Sequence, residues 1–232
     1  MRMRVLGRKF TAIACGVMSV GALALVSASP ASAKPAGALA TAEFGVRLVD
    51  DNRNGQCVVN DGSVGDSLQW VPEGQYSEPL VIDTDSRSGG CRMTFGFNNA
   101  DGSLTGLTLS YIYQVSGNGD AGQCPGSSSK PVDIPIFPIA FPFRYMMDRP
   151  IYIDTDGRRG WCDLTFQMSG RTDVALDVVY EFNGDSGQCK GALPLGTNQP
   201  RTVQTGGVPV TIGLDTDNRG GACFLSFRLR HI

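Results

Sequence analysis

The sequence predicts an all-β protein: three tandem, disulfide-stapled repeats of about 65 residues, expected to pack as one pseudo-threefold body. Three observations carry this. Two cysteine-centred signatures recur three times in the same order. Alternating apolar residues precede and follow them. No window of eleven residues after the leader has a helical period.

Taken from the start, residues 1–33 read as a secretory signal peptide. Arg2, Arg4, Arg8 and Lys9 are its charged start, Phe10 to Val26 its apolar core, and Ala31-Ser32-Ala33 a small-x-small cleavage site. The apolar run is broken by Gly and Ser and ends in that cleavage signal, so an export leader is expected and no membrane span. Residues 34–43, Ala-rich and unpatterned, read as a flexible arm. The repeats are expected at 44–102, 103–170 and 171–232.

Each repeat opens on a half-buried strand: Phe44-x-Val46-x-Leu48, then Leu107 to Val115, then Val174 to Phe182, with apolar residues at alternate positions. A Gly/Asn/Asp turn follows and ends in Gly-Gln-Cys, at Cys57, Cys124 and Cys189. A variable stretch with proline comes next. An apolar approach (Leu80 to Ile82, Ile151 to Ile153, Val210 to Ile212) leads to the second signature: Asp83-Thr-Asp-Ser-Arg-Ser-Gly-Gly-Cys91, Asp154-Thr-Asp-Gly-Arg-Arg-Gly-Trp-Cys162 and Asp215-Thr-Asp-Asn-Arg-Gly-Gly-Ala-Cys223. A closing strand follows: Met93-Thr94-Phe95, Leu164-Thr165-Phe166, Leu225-Ser226-Phe227.

Cys15 leaves with the leader. The remaining six, Cys57, Cys91, Cys124, Cys162, Cys189 and Cys223, suit three disulfides in an exported chain. Two sets respect the repeat order. One bonds within repeats: Cys57–Cys91, Cys124–Cys162 and Cys189–Cys223. The other links neighbours: Cys91–Cys124, Cys162–Cys189 and Cys223–Cys57. The first is preferred because each unit then closes its own loop. Units of this size are small for independent cores, so one shared body is expected over serial modules; a β-prism or a trefoil-like arrangement would both serve.

Composition narrows the function. Without the leader the chain carries 16 Lys+Arg against 22 Asp+Glu, a net charge of −6, which argues against nucleic acid. One histidine, His231, leaves no room for a multi-His zinc site, and a Ser-His-Asp triad would have to use this near-terminal residue. The Asp-Thr-Asp turns resemble the start of a calcium loop, but Arg87, Arg158 and Arg219 stand where a carboxylate or amide is wanted, and no Glu follows at position twelve. They read as hairpin turns whose Asp side chains satisfy local amides. As acid pairs they recur three times, which points to structure or multivalent binding and away from a single glycosidase cleft. No metal, cofactor or catalytic set is expected, and no enzyme.

The most unusual stretch, residues 131–147, carries prolines at 131, 135, 138 and 142. It reads as an extended apolar loop that either covers one end of the core or contacts a partner. Ile136, Phe137, Phe141, Phe143 and Tyr145 are its candidate partner-binding residues. Trp70, Tyr76 and Trp161 have the chemistry to stack on sugars, but single aromatics at turns are more often local packing.

The export signal, the arm at Lys34–Glu43 and the three Gly-Gln-Cys units together resemble the secreted β-rich accessory proteins of Streptomyces, above all the small adaptor component of umbrella toxin particles. The high Arg-to-Lys ratio, 16 to 4, suits a high-GC bacterium. The resemblance implies a secreted, non-enzymatic protein that joins a large toxin chain to a cell-binding lectin subunit, in an extracellular antibacterial complex. The competing expectation is a secreted lectin with up to three related glycan sites. Divergence of the variable loops between repeats favours protein contacts.

Overall fold

The computed structural model describes residues 42–51, 55–59, 66–83, 89–116, 119, 122, 124–134, 136, 144–147, 149–154, 160–184, 189–191, 199–215 and 220–232. The leader, residues 34–41 of the arm and most of each Asp-Thr-Asp turn lie outside the described residues. The described residues form fifteen β-strands and no α-helix. Repeat one supplies β1 (Glu43–Asp50), β2 (Cys57–Val59), β3 (Asp66–Pro72), β4 (Leu80–Asp83) and β5 (Gly90–Asn98). Repeat two supplies β6 (Thr108–Ser116), β7 (Ser128–Ile134), β8 (Tyr145–Met146), β9 (Ile151–Asp154) and β10 (Trp161–Ser169). Repeat three supplies β11 (Val174–Gly184), β12 (Cys189–Gly191), β13 (Arg201–Gln204), β14 (Val210–Asp215) and β15 (Gly221–His231).

The opening and closing strands of each repeat pair with each other, antiparallel: β1 with β5, β6 with β10, β11 with β15. A strand from the variable stretch then lines the opening strand on its other side, β3 on β1, β7 on β6 and β13 on β11. The approach strand does not return to its own repeat. β9 pairs with β5, β14 with β10, and β4, from the first repeat, with β15 of the last. The result is three five-stranded sheets. The first is β3-β1-β5 with β8 and β9 along β5; the second is β7-β6-β10-β14-β12; the third is β13-β11-β15-β4-β2.

Period-two alternation decides what each strand buries. Phe44, Val46 and Leu48 point inward from β1, Leu109, Tyr111 and Tyr113 from β6, and Leu176, Val178 and Tyr180 from β11, all buried. Val71, Ile134 and Val203 stand opposite Phe44, Leu109 and Leu176 and are buried too. Four residues after each second cysteine comes a fully buried phenylalanine, and the three meet. Phe95 and Phe166 lie 5.4 Å apart, Phe95 and Phe227 5.5 Å, and Phe166 and Phe227 5.8 Å, all edge-to-face. That is the geometry ring quadrupoles prefer. Burying each such ring is worth roughly 1.5–3 kcal/mol relative to exposure.

The disulfides are those within repeats: Cys57–Cys91, Cys124–Cys162 and Cys189–Cys223, with Cα–Cα distances of 5.6, 5.7 and 5.5 Å. Cys57 sits on β2 in the third sheet and Cys91 on β5 in the first. Likewise Cys189 sits on β12 in the second sheet and Cys223 on β15 in the third. These two bonds therefore tie neighbouring sheets, as well as closing loops of sequence. Three disulfides are typical of extracellular proteins.

The flexible arm expected over 34–43 does not extend to its last two residues: Ala42 is fully buried with its carbonyl accepting the Glu73 N–H at 3.0 Å, and Glu43 opens β1. Its alanine-rich composition hid a small residue in the core. The proline-rich stretch is also not wholly loop. Pro131 lies within β7, an edge strand, where its pairing with β6 shifts register between Tyr111 and Tyr113. A bulge on an edge tolerates a residue with no N–H to donate.

Candidate binding surfaces

The inward faces repeat; the outward faces do not. On the first sheet Gly45 and Gly96 stand opposite each other. A Cβ on Gly45 would lie 2.6 Å from the Trp70 ring and 2.8 Å from the Met146 sulfur, and one on Gly96 only 2.1 Å from the Tyr145 carbonyl. The bare backbone is thus a seat for Trp70 and for the return strand β8. Arg144 closes the arrangement. Its guanidinium lies 5.4 Å above the Trp70 ring and donates to both Glu43 carboxylate oxygens at 2.9 Å, while Asn98 donates to Glu43 at 2.8 Å. The Arg144 bond holds the Glu43 carboxyl below its ordinary pKa, against the upward push of its burial and with help from Asn98.

On the third sheet the corresponding strands carry charge. Asp177, 1% exposed, points outward from β11 between Arg228 and Arg230. Arg230 donates to it from Nε at 2.7 Å, Arg228 from Nε and Nη2 at 3.0 and 2.6 Å, and the Thr202 hydroxyl at 2.8 Å. Burial alone would raise its pKa; the bonds from Arg230, Arg228 and Thr202 outweigh it and hold the carboxyl below the ordinary value. Tyr76, 40% exposed, roofs this network with its ring 4.2 Å from the Arg228 guanidinium. Beside it lies an open hollow of about 430 Å³ lined by Tyr76, Ser77, Pro79, Val179, Pro200 and Ser226.

The second sheet is quieter. Thr165 and Thr211 share a hydroxyl hydrogen bond of 2.7 Å across β10 and β14. Burial raises the pKa of Asp163, and the bond from Ser116 offsets part of that.

Of the expected partner-binding residues, Ile136 is partly buried against the core and Tyr145 is half-buried on β8, opposite Phe97. Phe137, Phe141 and Phe143 lie outside the described residues. Of the three aromatics suited to sugar, Trp70 is sandwiched by its own chain, Trp161 is half-buried on β10, and Tyr76 alone presents an exposed ring. The Asp177 network and the Tyr76 hollow escaped sequence reading, because residues from distant positions of the first and third repeats converge there. A weak signal exists: β15 carries arginines at alternate outward positions, Arg228 and Arg230.

Among the described residues no helix is long and apolar enough to cross a membrane, and no three His, Cys, Asp or Glu side chains gather as a metal site. No family of known proteins, no curated protein and no solved structure matches the chain.

Proposed function

We propose that this chain is a secreted, non-enzymatic interaction protein, an adaptor in an extracellular bacterial assembly, built on one pseudo-threefold body. The observation that carries the reading is the contrast between faces. Three repeats keep the same inward apolar pattern in the same register, with a cysteine and a phenylalanine recurring on each closing strand, and each outward face is different: a Trp–Met–Arg cover, a hydroxyl pair, a charged network with an apolar hollow. A scaffold kept inside and individualised outside suits several distinct protein contacts. A lectin with three like sites would keep its outward residues alike.

The pseudo-threefold body is supported by the cyclic exchange of approach strands, which ends with β4 of the first repeat on β15 of the last, and by the meeting of Phe95, Phe166 and Phe227. The apolar run at 137–143 is the first candidate contact. The chain enters it from Ile136, packed on the core, and leaves it at Arg144, clamped to Glu43 and Trp70. Both ends are anchored, which lowers the ordering cost of presenting such a segment. An assembly of the umbrella-toxin type, with the chain bridging a toxin subunit and a lectin subunit, is the specific setting the resemblance suggests.

The test is affinity purification of the tagged protein from culture supernatant, with mass spectrometry of what accompanies it. The reading expects a secreted protein in stoichiometric amount, lost or weakened in Phe141→Ser/Phe143→Ser. A chain that comes out alone, yet is retained by an immobilised glycan, contradicts the adaptor and supports the lectin.

A further inference from the structure

Two hollows on the outside of the molecule occupy the same place in two different sheets. Thr94 and Ser226 each stand three residues after a second cysteine and line them. Arg47 and Val179 face these two across the opening strands. The next wall comes from the approach to the neighbouring strand. Met147 donates its N–H to the Phe95 carbonyl at 2.9 Å, and Ser77 to the Phe227 carbonyl at 2.8 Å. Pro150 closes one hollow and Pro79 the other, each just before β9 or β4 begins. A proline has no N–H for the sheet, so the chain lifts from its neighbour there and leaves space. In the second sheet Thr211 holds that position. There β14 stays on β10, and the Thr165–Thr211 hydroxyl pair fills the gap.

The two hollows differ in chemistry. The one on the first sheet, about 230 Å³, is flanked by Arg47 and Arg92, each already committed to a carboxylate, Asp66 and Asp51. The one on the third sheet is larger and walled by Val179, Pro79, Pro200 and the Tyr76 ring. Its Ser77 hydroxyl is already engaged, accepting the Phe227 N–H at 3.0 Å. A sugar would leave most of its hydroxyls without partners in such a place, whereas an apolar side chain would not.

Charge orders what lies on either side. Asp177, Val179 and Glu181 follow one another at alternate, outward positions of β11. At the Asp177 end two guanidiniums share one carboxylate, which leaves a positive charge at the rim. At the other end Glu181 is exposed and negative. Successive outward residues of a strand are roughly 7 Å apart, the same spacing an extended ligand presents.

The geometry points to the third-sheet hollow as the dock for an extended segment of a partner protein. That segment presents, on alternate residues, a carboxylate to Arg228 and Arg230, an apolar side chain to the hollow, and a cation to Glu181. The inference rests on the interaction-protein reading and names one of its contact surfaces.

The experiment selects a phage-displayed library of random twelve-residue peptides on the full exported protein. A selected peptide is then titrated by calorimetry. The expected peptides carry an acid and a base two positions either side of an apolar residue. Affinity should fall about 30-fold in Val179→Asp, the loss of one hot-spot contact. In Glu181→Lys it should fall about tenfold and be restored by a peptide with its base changed to an acid. Arg47→Asp, in the other hollow, should leave it unchanged. Both third-sheet positions point outward, and thermal melts of each variant check that it is folded. Failure to select peptides, equal binding to Val179→Asp, or peptides without the charge order overturns the assignment. If Val179→Asp loses peptide but keeps the partner captured from supernatant, the hollow is not the partner's dock while the adaptor reading stands; if wild type captures no partner, the adaptor reading fails on its own arm.

Discussion

Replacing Phe166 by alanine tests whether the three repeats share one core. The ring is fully buried and packs edge-to-face on Phe95 at 5.4 Å and on Phe227 at 5.8 Å, so its loss strips contacts from side chains of all three repeats. Phe→Ala in a well-packed site costs about 3–5 kcal/mol. The neighbours here belong to three separately hydrogen-bonded sheets, which limits collapse into the cavity and places the cost near 4 kcal/mol. For a chain of this size, each kcal/mol lowers Tm by about 2–4 °C, so a fall of about 8–16 °C is expected. Thermal melts followed by far-UV circular dichroism and by fluorescence of Trp70 and Trp161, which sit in the first and second sheets, supply the assay. Both probes should report one coincident, shifted transition. A fall worth less than about 1 kcal/mol, or a shift seen by one tryptophan while the other keeps the wild-type midpoint, refutes the shared core.

Asp177 should make stability depend on acid pH. Its folded pKa is depressed, so its contribution is fully present above the unfolded value of about 3.9 and is lost as pH falls through the lower folded value. Urea midpoints measured from pH 7 down to pH 2 should therefore fall more steeply in wild type than in Asp177→Asn, which starts lower; parallel curves would show the network is not stabilising. Removing the Cys57–Cys91 bond by a double serine substitution should cost about 3–4 kcal/mol by chain entropy, read from urea unfolding, and an unchanged midpoint would deny it a structural role. Gly96→Ala puts a Cβ 2.1 Å from the Tyr145 carbonyl and should lift β8 from β5, at about 1–3 kcal/mol, with a change in Trp70 fluorescence. An unchanged spectrum and Tm would mean that the seat is looser than drawn.

Much of the interior was legible in the chain. Alternation exposed β1, β5, β6, β10, β11 and β15, because each has one buried face and the side-chain period of a strand is two. The cysteine signatures marked the repeats and left two disulfide sets open; the bonds within repeats, the preferred set, are the ones formed. What the pattern did not carry was the partner of each approach strand. Leu80 to Ile82 would bury the same residues against its own closing strand as against β15, so the exchange between repeats leaves no local trace. The edge strands β3, β7 and β13 were also hidden. One of their faces is only half covered, and polar residues such as Asp66, Lys130 and Thr202 interrupt the alternation. On the outside, local packing of Trp70 was legible but its seat was not, because that seat consists of two glycines fifty-one positions apart, Gly45 and Gly96. The Tyr76 hollow was invisible for the same reason: its walls come from four separate segments.

The pairing of β4 with β15 joins residues about 140 positions apart, and in the proposed pseudo-threefold body it is the link that closes the three repeats on one another. Residue-resolved amide hydrogen exchange by NMR, under conditions where exchange reports opening free energy, examines it directly. The account predicts that the hydrogen-bonded amides of Leu80–Asp83 and Ala222–Leu225 exchange only through global unfolding, with the same free energy as those flanking Phe95 and Phe166. Exchange of the β4 amides by local opening, several kcal/mol below the global value, would contradict a closed ring and leave the repeats as modules in series.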